Sequence, residues 1–269
     1  MQASLAAAPR SLVERHRYAD LVTTLAARTL KVRYRGSVLG VFWSLSNPLL
    51  MTLIYELLFG AAFSQYYGNS RLNYVLAVFV ALAVLSFFST STSQALTSIV
   101  ANGGLLNKMS IPYSAFPVSV IAANAFQLCA GTLPLLLLVT LYRTHSVWHV
   151  VALAGPLAGL ILICLGFGFA LAVVYVYFRD IPYLYEVFTF VLYMTTPVFY
   201  PAQLVPASVR GYLALNPIAG IVEAVRTIAL SPQPIAPSLI VSSLGVGCVA
   251  FAGGWLVLAA MRRDVVDLL

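Results

Sequence analysis

Long apolar runs separated by short polar breaks dominate the chain. Six of them, at about 38–63, 74–100, 113–142, 149–178, 183–200 and 238–260, read as membrane-crossing helices. A helix needs about 20 mostly apolar residues to cross about 30 Å of hydrocarbon. The breaks carry helix-stopping chemistry. Gln65, Asn69 and Arg71 form a polar hairpin after the first run; Gly103, Gly104 and Pro112 oppose continuation after the second; FRDIP (178–182) interrupts after the fourth. Residues 10–35 have a different period. Val22, Leu25, Thr29 and Val32 recur at i, i+3, i+7 and i+10, with Leu21 beside them, and Arg28, Lys31 and Arg35 follow an adjacent side. An apolar stripe next to a basic one predicts an amphipathic helix lying on the membrane. Residues 201–236 are too apolar for a plain loop. Two short helical pieces, about 207–215 and 218–229, split at Asn216-Pro217. Neither can span, so they predict a re-entrant pair. The expected fold is all-α and polytopic: an interface helix within 1–36, then a six-helix membrane domain over 37–269.

Composition supports the bilayer. Hydrophobic residues make up 61% of the chain and charged ones 9%, against about 25% charged in a soluble domain. The net charge of +7 does not point to nucleic acid, because seven of the fifteen Lys and Arg lie before residue 36, as on a segment facing anionic lipid. With the N-terminus inside and six crossings, eleven Lys and Arg fall inside and only Arg71, Arg143, Arg210 and Arg226 outside. That bias predicts a multi-pass protein with both termini cytoplasmic. The first residues show no apolar core with a cleavage site, so the first crossing is expected to direct insertion.

Catalytic chemistry is not expected. The only lysines are Lys31 and Lys108, neither in a phosphate-binding loop, so the chain itself is expected to bind no ATP. His145 and His149 have no carboxylate or thiol nearby in sequence, and Cys129, Cys164 and Cys248 sit singly in apolar stretches; no metal site is expected. Two polar stripes stand out. Ser86, Thr90, Ser93 and Thr97 share one side of the second crossing; Tyr185, Thr189, Tyr193, Thr196 and Tyr200 share one side of the fifth. Aromatic faces stack on sugar rings and hydroxyls bond to them, so both stripes are candidate linings of a sugar-tolerant channel. Glu56, Glu186 and Glu223 cannot face lipid cheaply, and Glu223 can pair with Arg226 three residues on. A proton-coupled carrier using Glu56 or Glu186 is the alternative reading, and a membrane enzyme on lipid-linked sugars is a third. Leu105, Leu106 and Met109 around Asn107 and Lys108 suit docking to a soluble partner. A second contact is expected where Arg179 stands beside Asp180.

These motifs together resemble a known family. DLVTTLAARTLKVRYRGSVLGVFWSLSNPLL (20–50), then NKMSIP, FRDIPYL, TPVFYP and LNPIAGIVEAVR, occur in the order found in polysaccharide-exporting permeases of the ABC-2 type. The resemblance implies two permease copies with two ATP-binding-cassette ATPase subunits, which hold ATP and Mg, in the bacterial cytoplasmic membrane. It implies a coupling helix within 101–112, flanked by the Arg28, Lys31 and Arg35 helix, with Arg179 and Asp180 as a smaller contact. The fifth helix would line the channel with Trp43 and Asn47 of the first, and the pair around Asn216, Pro217, Glu223 and Arg226 would shape the outer gate. The implied cargo is an undecaprenyl-diphosphate-linked glycan. Overall likeness leans to a wall teichoic acid ahead of an O-antigen or capsule-like glycan.

Overall fold

A computed structural model describes residues 10–106, 111–206, 208, 211 and 216–261, with the backbone alone at 10–16 and 202. The described elements are helical throughout. Five helical stretches are long and apolar enough to cross a bilayer: Gly40–Tyr67, Arg71–Ala101, Ala115–Thr144, Val147–Tyr177 and Pro237–Met261.

Helix α1 (Arg10–Tyr34) turns Val22 and Leu25 inward and leaves Arg28, Lys31 and Arg35 exposed. It runs alongside α5 (Ala115–Gln127): the Tyr18 hydroxyl lies 3.1 Å from Ser114 Oγ, and Arg33 reaches Asn124 at 2.8 Å. The first span holds α2 (Trp43–Phe63) between two tight turns, and many of its leucines face outward. Helix α3 (Arg71–Ala101) is the central post, with 67% of its most apolar stretch buried against 17% for the first and last spans. Ser70 caps its start by accepting from the Asn73 amide. A four-residue turn, α4 (Gly103–Leu106), follows it, and Leu106 packs against the core at this end.

The third span is continuous through α5, a π-helical turn at Leu128–Thr132 and α6 (Leu133–Thr144). Pro134 accounts for it: it has no N–H for the carbonyl four residues back, and its ring crowds that carbonyl; widening the turn accommodates both. Gly131 lies in the widened turn, where a β-carbon would meet the Ser44 hydroxyl of α2.

Helix α7 (Val147–Ala152) leads into α8 (Ala154–Tyr177), which lies against α11 (Pro237–Met261) in backbone contact. A β-carbon at Gly159 would come 2.8 Å from the Ser243 carbonyl carbon, and one at Gly247 would come 2.7 Å from the Gly159 oxygen. Further along, Gly166 would meet the Ala250 carbonyl and Gly254 the Gly166 carbonyl. Lipid supplies no hydrophobic drive between helices, so such close contact of small residues is what holds a pair together.

The fifth expected crossing, 183–200, is shorter as a helix than its hydropathy suggests. Helix α9 (Ile181–Thr195) has 15 residues, about 22 Å at 1.5 Å per residue, less than the hydrocarbon thickness. It stops because Thr196 precedes Pro197, which disfavours helical geometry; Thr196 is extended, with ψ 129°. The chain then packs back on the bundle, with Val198 buried and the Phe199 carbonyl accepting from Tyr74 at 2.9 Å. Helix α10 (Pro217–Leu230) follows, capped by Asn216 Oδ1, which accepts from the Ile218 and Ala219 amides. Its apolar face (Ile218, Ile221, Val222, Val225 and Ile228) is buried. The expected first half-helix at 207–215 falls almost wholly outside the described residues, as do the segment 107–110 and the tail after Met261.

Candidate functional site

Two polar hollows adjoin each other on α3. The first, a cavity of about 530 Å³, lies between the end of α1, the start of α2, the middle of α3 and the π-helical turn. At its wall Arg33 Nη1 donates to Asn124 Oδ1 at 2.8 Å and Gln127 Oε1 at 2.6 Å, and Nη2 donates to Gln94 Oε1. Asn124 Nδ2 in turn donates to Gln94 Oε1 at 3.0 Å. Three amide oxygens therefore fix the guanidinium, and no carboxylate lines the cavity among the described residues. Two of the five N–H donors of an arginine have no acceptor there among the described residues. Neutral dipoles orient the charge without cancelling it. Such a cavity favours an anion, because a guanidinium matches phosphate and carboxylate geometry.

The second hollow is an open groove, also about 530 Å³, between α3 and α9. Ser89, Thr90, Ser93 and Gln94 face Tyr185, Glu186, Thr189 and Tyr193 across it. Thr90 and Gln94 border both hollows, so the two lie side by side on α3. One hydroxyl bridges the two walls: Tyr185 is buried, its OH bonds to Thr92 Oγ1, and it lies 3.3 Å from the Ser89 carbonyl. The opposite side of α9 is apolar and exposed, with Tyr183, Leu184, Val187 and Val191 outward.

The structure thus draws most of the expected channel residues together. Trp43, Asn47, Ser86 and Thr90 line the cavity; Thr90, Ser93, Tyr185, Thr189 and Tyr193 line the groove. Thr196 and Tyr200 lie elsewhere. Thr196 is fully buried and bonded to Asn216 Nδ2 at 2.9 Å, while Tyr200 bonds to the Met194 carbonyl at 3.1 Å. The break at Pro197 takes both off the helical stripe.

Asn216 also donates to Thr195 Oγ1 at 3.1 Å, so it ties the end of α9 to the start of α10, where Pro217 is the first residue. Arg226 lies 3.7 Å from Glu223, as their spacing allows, but its stronger contacts are backbone carbonyls: Pro197 at 2.9 Å and Ala77 at 3.3 Å. Glu56 lies 4.0 Å from Arg71 at this same end of the bundle. Glu186 stands open in the groove.

At the α1 end, Leu105 and Leu106 are half-buried in α4. The other expected docking residues there, Asn107, Lys108 and Met109, lie outside the described residues. Arg179 and Asp180 are exposed and form no ion pair with each other: the Arg179 guanidinium instead sits 5.5 Å from the Tyr175 ring centre. An exposed ion pair is worth little, so the contact of a flat cation with an aromatic face competes with it.

Sequence reasoning missed the Arg33 cluster by counting Arg33 among surface charges. A signal was present. Asn124 and Gln127 are three apart in an apolar span, and amides at such depth need partners.

Comparison with known proteins agrees with this architecture. The ABC-2 type transporter profile matches residues 20–230. The O-antigen export system permease protein RfbA of Myxococcus xanthus is 32% identical over 222 residues, covering 81% of this chain and 84% of that protein. Two such permease proteins from Klebsiella pneumoniae are 25% and 26% identical, over 79% of this chain and 81% of each relative. With five apolar spans, a short α9 and a family match that runs from α1 through α10, the chain belongs to the ABC-2 type transporter membrane family.

Proposed function

We propose that this chain is the permease subunit of an ATP-driven exporter that carries a lipid-linked O-antigen type glycan across the bacterial cytoplasmic membrane. The relatives' names favour O-antigen, ahead of the wall teichoic acid to which overall likeness leans. The observation that carries the reading is a cavity with no acid among its described lining residues and a fixed, unneutralised Arg33, adjoining a groove of tyrosines and hydroxyls. A phosphate-linked sugar chain needs both: a cation for the phosphate, and weak, repeated contacts for the sugars.

Two copies would work with two ATP-binding-cassette ATPases, which bind ATP and Mg. The basic α1 end faces the cytoplasm in this reading, with both termini inside, following the positive-inside bias. The segment at 104–109 and the exposed Arg28, Lys31 and Arg35 would meet the ATPases. Movement of α1 would reach the cavity directly, because Arg33 lies on that helix. Helix α9, bridged to α3 by the Tyr185 hydroxyl, would then swing to widen the groove.

Arg33→Gln tests the reading. ATP-dependent export in reconstituted vesicles is expected to fall at least tenfold while insertion and ATPase pairing persist. Unchanged export would reject the role of the cavity. Transport by this chain alone, without any ATPase, would overturn the whole assignment in favour of a proton-coupled carrier.

A further inference from the structure

A second cationic hollow lies at the end of the bundle opposite α1, beside the Glu223 and Arg226 expected at the outer gate, and neither the sugar-lined groove nor the docking surface accounts for its unpaired Arg143. It measures about 350 Å³ and lies between the turn at Ser64–Tyr67, the first half of α3, the end of α6 and α10. Pockets of this size accommodate small ligands.

Its charge is unbalanced. Among the described residues, Arg143 and Arg226 line it against the single carboxylate of Glu223. Arg226 is engaged, since it donates to the Ala77 and Pro197 carbonyls and faces Glu223 at 3.7 Å. Arg143 is not. Its Nε is buried and has no hydrogen-bond partner among the described residues. The Glu223 side chain, 55% exposed, is directed to Arg226 and Thr227. A place in the last turn of α6 gives Arg143 a favourable helix dipole. That would hold equally well in open water, and it does not explain a buried, unmet donor. The remaining polar wall among the described residues is made of neutral groups: Tyr66, Tyr67, Asn73, Thr227 and Ser231.

We infer that this hollow is a binding site for a phosphate group, with Arg143 as its charged ligand and neighbouring hydroxyls completing the contacts. Guanidinium plus hydroxyl donors suits a tetrahedral anion, which offers more acceptor oxygens than a carboxylate. In the orientation proposed above the site faces outward, at headgroup level. The phosphate could therefore come from a membrane lipid headgroup or from a soluble or cargo-borne diphosphate. The site stands whatever the exporter carries.

The test is calorimetric titration of inorganic diphosphate into the full chain in phosphatidylcholine nanodiscs at low salt. The Arg33 cavity is expected to take the same anion, so wild type should show two classes of site. Arg143→Gln should weaken one class at least tenfold and leave the other in place. Thr227→Asp adds a negative charge at an exposed position of the wall and does not touch Arg143; it should weaken the same class and serves if Arg143→Gln fails to assemble. Isotherms of either assembled variant that match wild type would overturn the inference. Replacing phosphatidylcholine with phosphatidylglycerol separates the sources. If lipid headgroups occupy the site, the Arg143-dependent class weakens at least tenfold; if soluble diphosphate is the natural ligand, that class is unchanged.

Discussion

The α8–α11 seam and the α3–α9 contact are both helix pairs in the same bundle, and they are held together in opposite ways. Along the seam, Gly159, Gly166, Gly247 and Gly254 put backbone against backbone with no room for one more carbon. Across the groove, the Tyr185 hydroxyl bridges α9 to α3 and Leu192 packs into the core, while open polar space separates the facing polar side chains. Close packing forfeits contact along the whole interface if the helices separate, whereas a hydroxyl contact can be exchanged for water or a sugar hydroxyl at little cost. The bundle therefore combines a fixed wall with a movable one.

The largest effect is expected from breaking the fixed wall. Gly254→Leu forces a side chain into the Gly166 carbonyl, where neither backbone can yield, and overpacking of this kind costs about 1–3 kcal/mol or more. Most of the folded protein should be lost, read as the monodisperse yield after detergent extraction. Gly253, one residue earlier, has open space around it; Gly253→Ala should keep full yield and gain a little from helix propensity, up to about 1 kcal/mol. Equal behaviour of the two variants would refute the seam.

Within the movable wall, Tyr193→Ala removes an aromatic face from the groove without touching the Tyr185 contact. ATP-driven export should slow severalfold while expression changes little, and parallel losses of both would mean that Tyr193 only packs. The smallest effect belongs to Tyr185→Phe. Loss of one hydrogen bond is worth about 0.5–1.5 kcal/mol. Thiol labelling of a Ser93→Cys probe in the groove should therefore speed up by about two- to tenfold, with global stability nearly unchanged. A large loss of stability would instead make Tyr185 part of the fixed core.

How much of this was legible depends on the distance over which each feature is decided. The long spans follow from apolar runs, and their stops from Gly, Pro and polar breaks, all of which act within a few residues. The two hydroxyl stripes were legible as stripes for the same reason. That Ser93 and Tyr193 border one groove was not, because that depends on how α9 docks. Thr196 and Tyr200 show the limit: they continue the stripe at helical spacing, but Pro197 ends the helix beneath them. The glycine seam had a faint trace, with Gly159 and Gly166 seven apart, as are Gly247 and Gly254. Only the packed pair shows that these positions meet.

By itself the sequence determined that the chain is helical, resides in a membrane and has one strongly basic end. Hydropathy, helix period and charge are properties of short segments and do not depend on what they touch. Tertiary structure decided the partners. Arg33 finds its amides 61, 91 and 94 residues away along the chain, and Arg143 lines its hollow beside α10. No local rule selects among the polar groups that a buried cation could meet. The packing of the helices selects them, and with them the chemistry of each hollow.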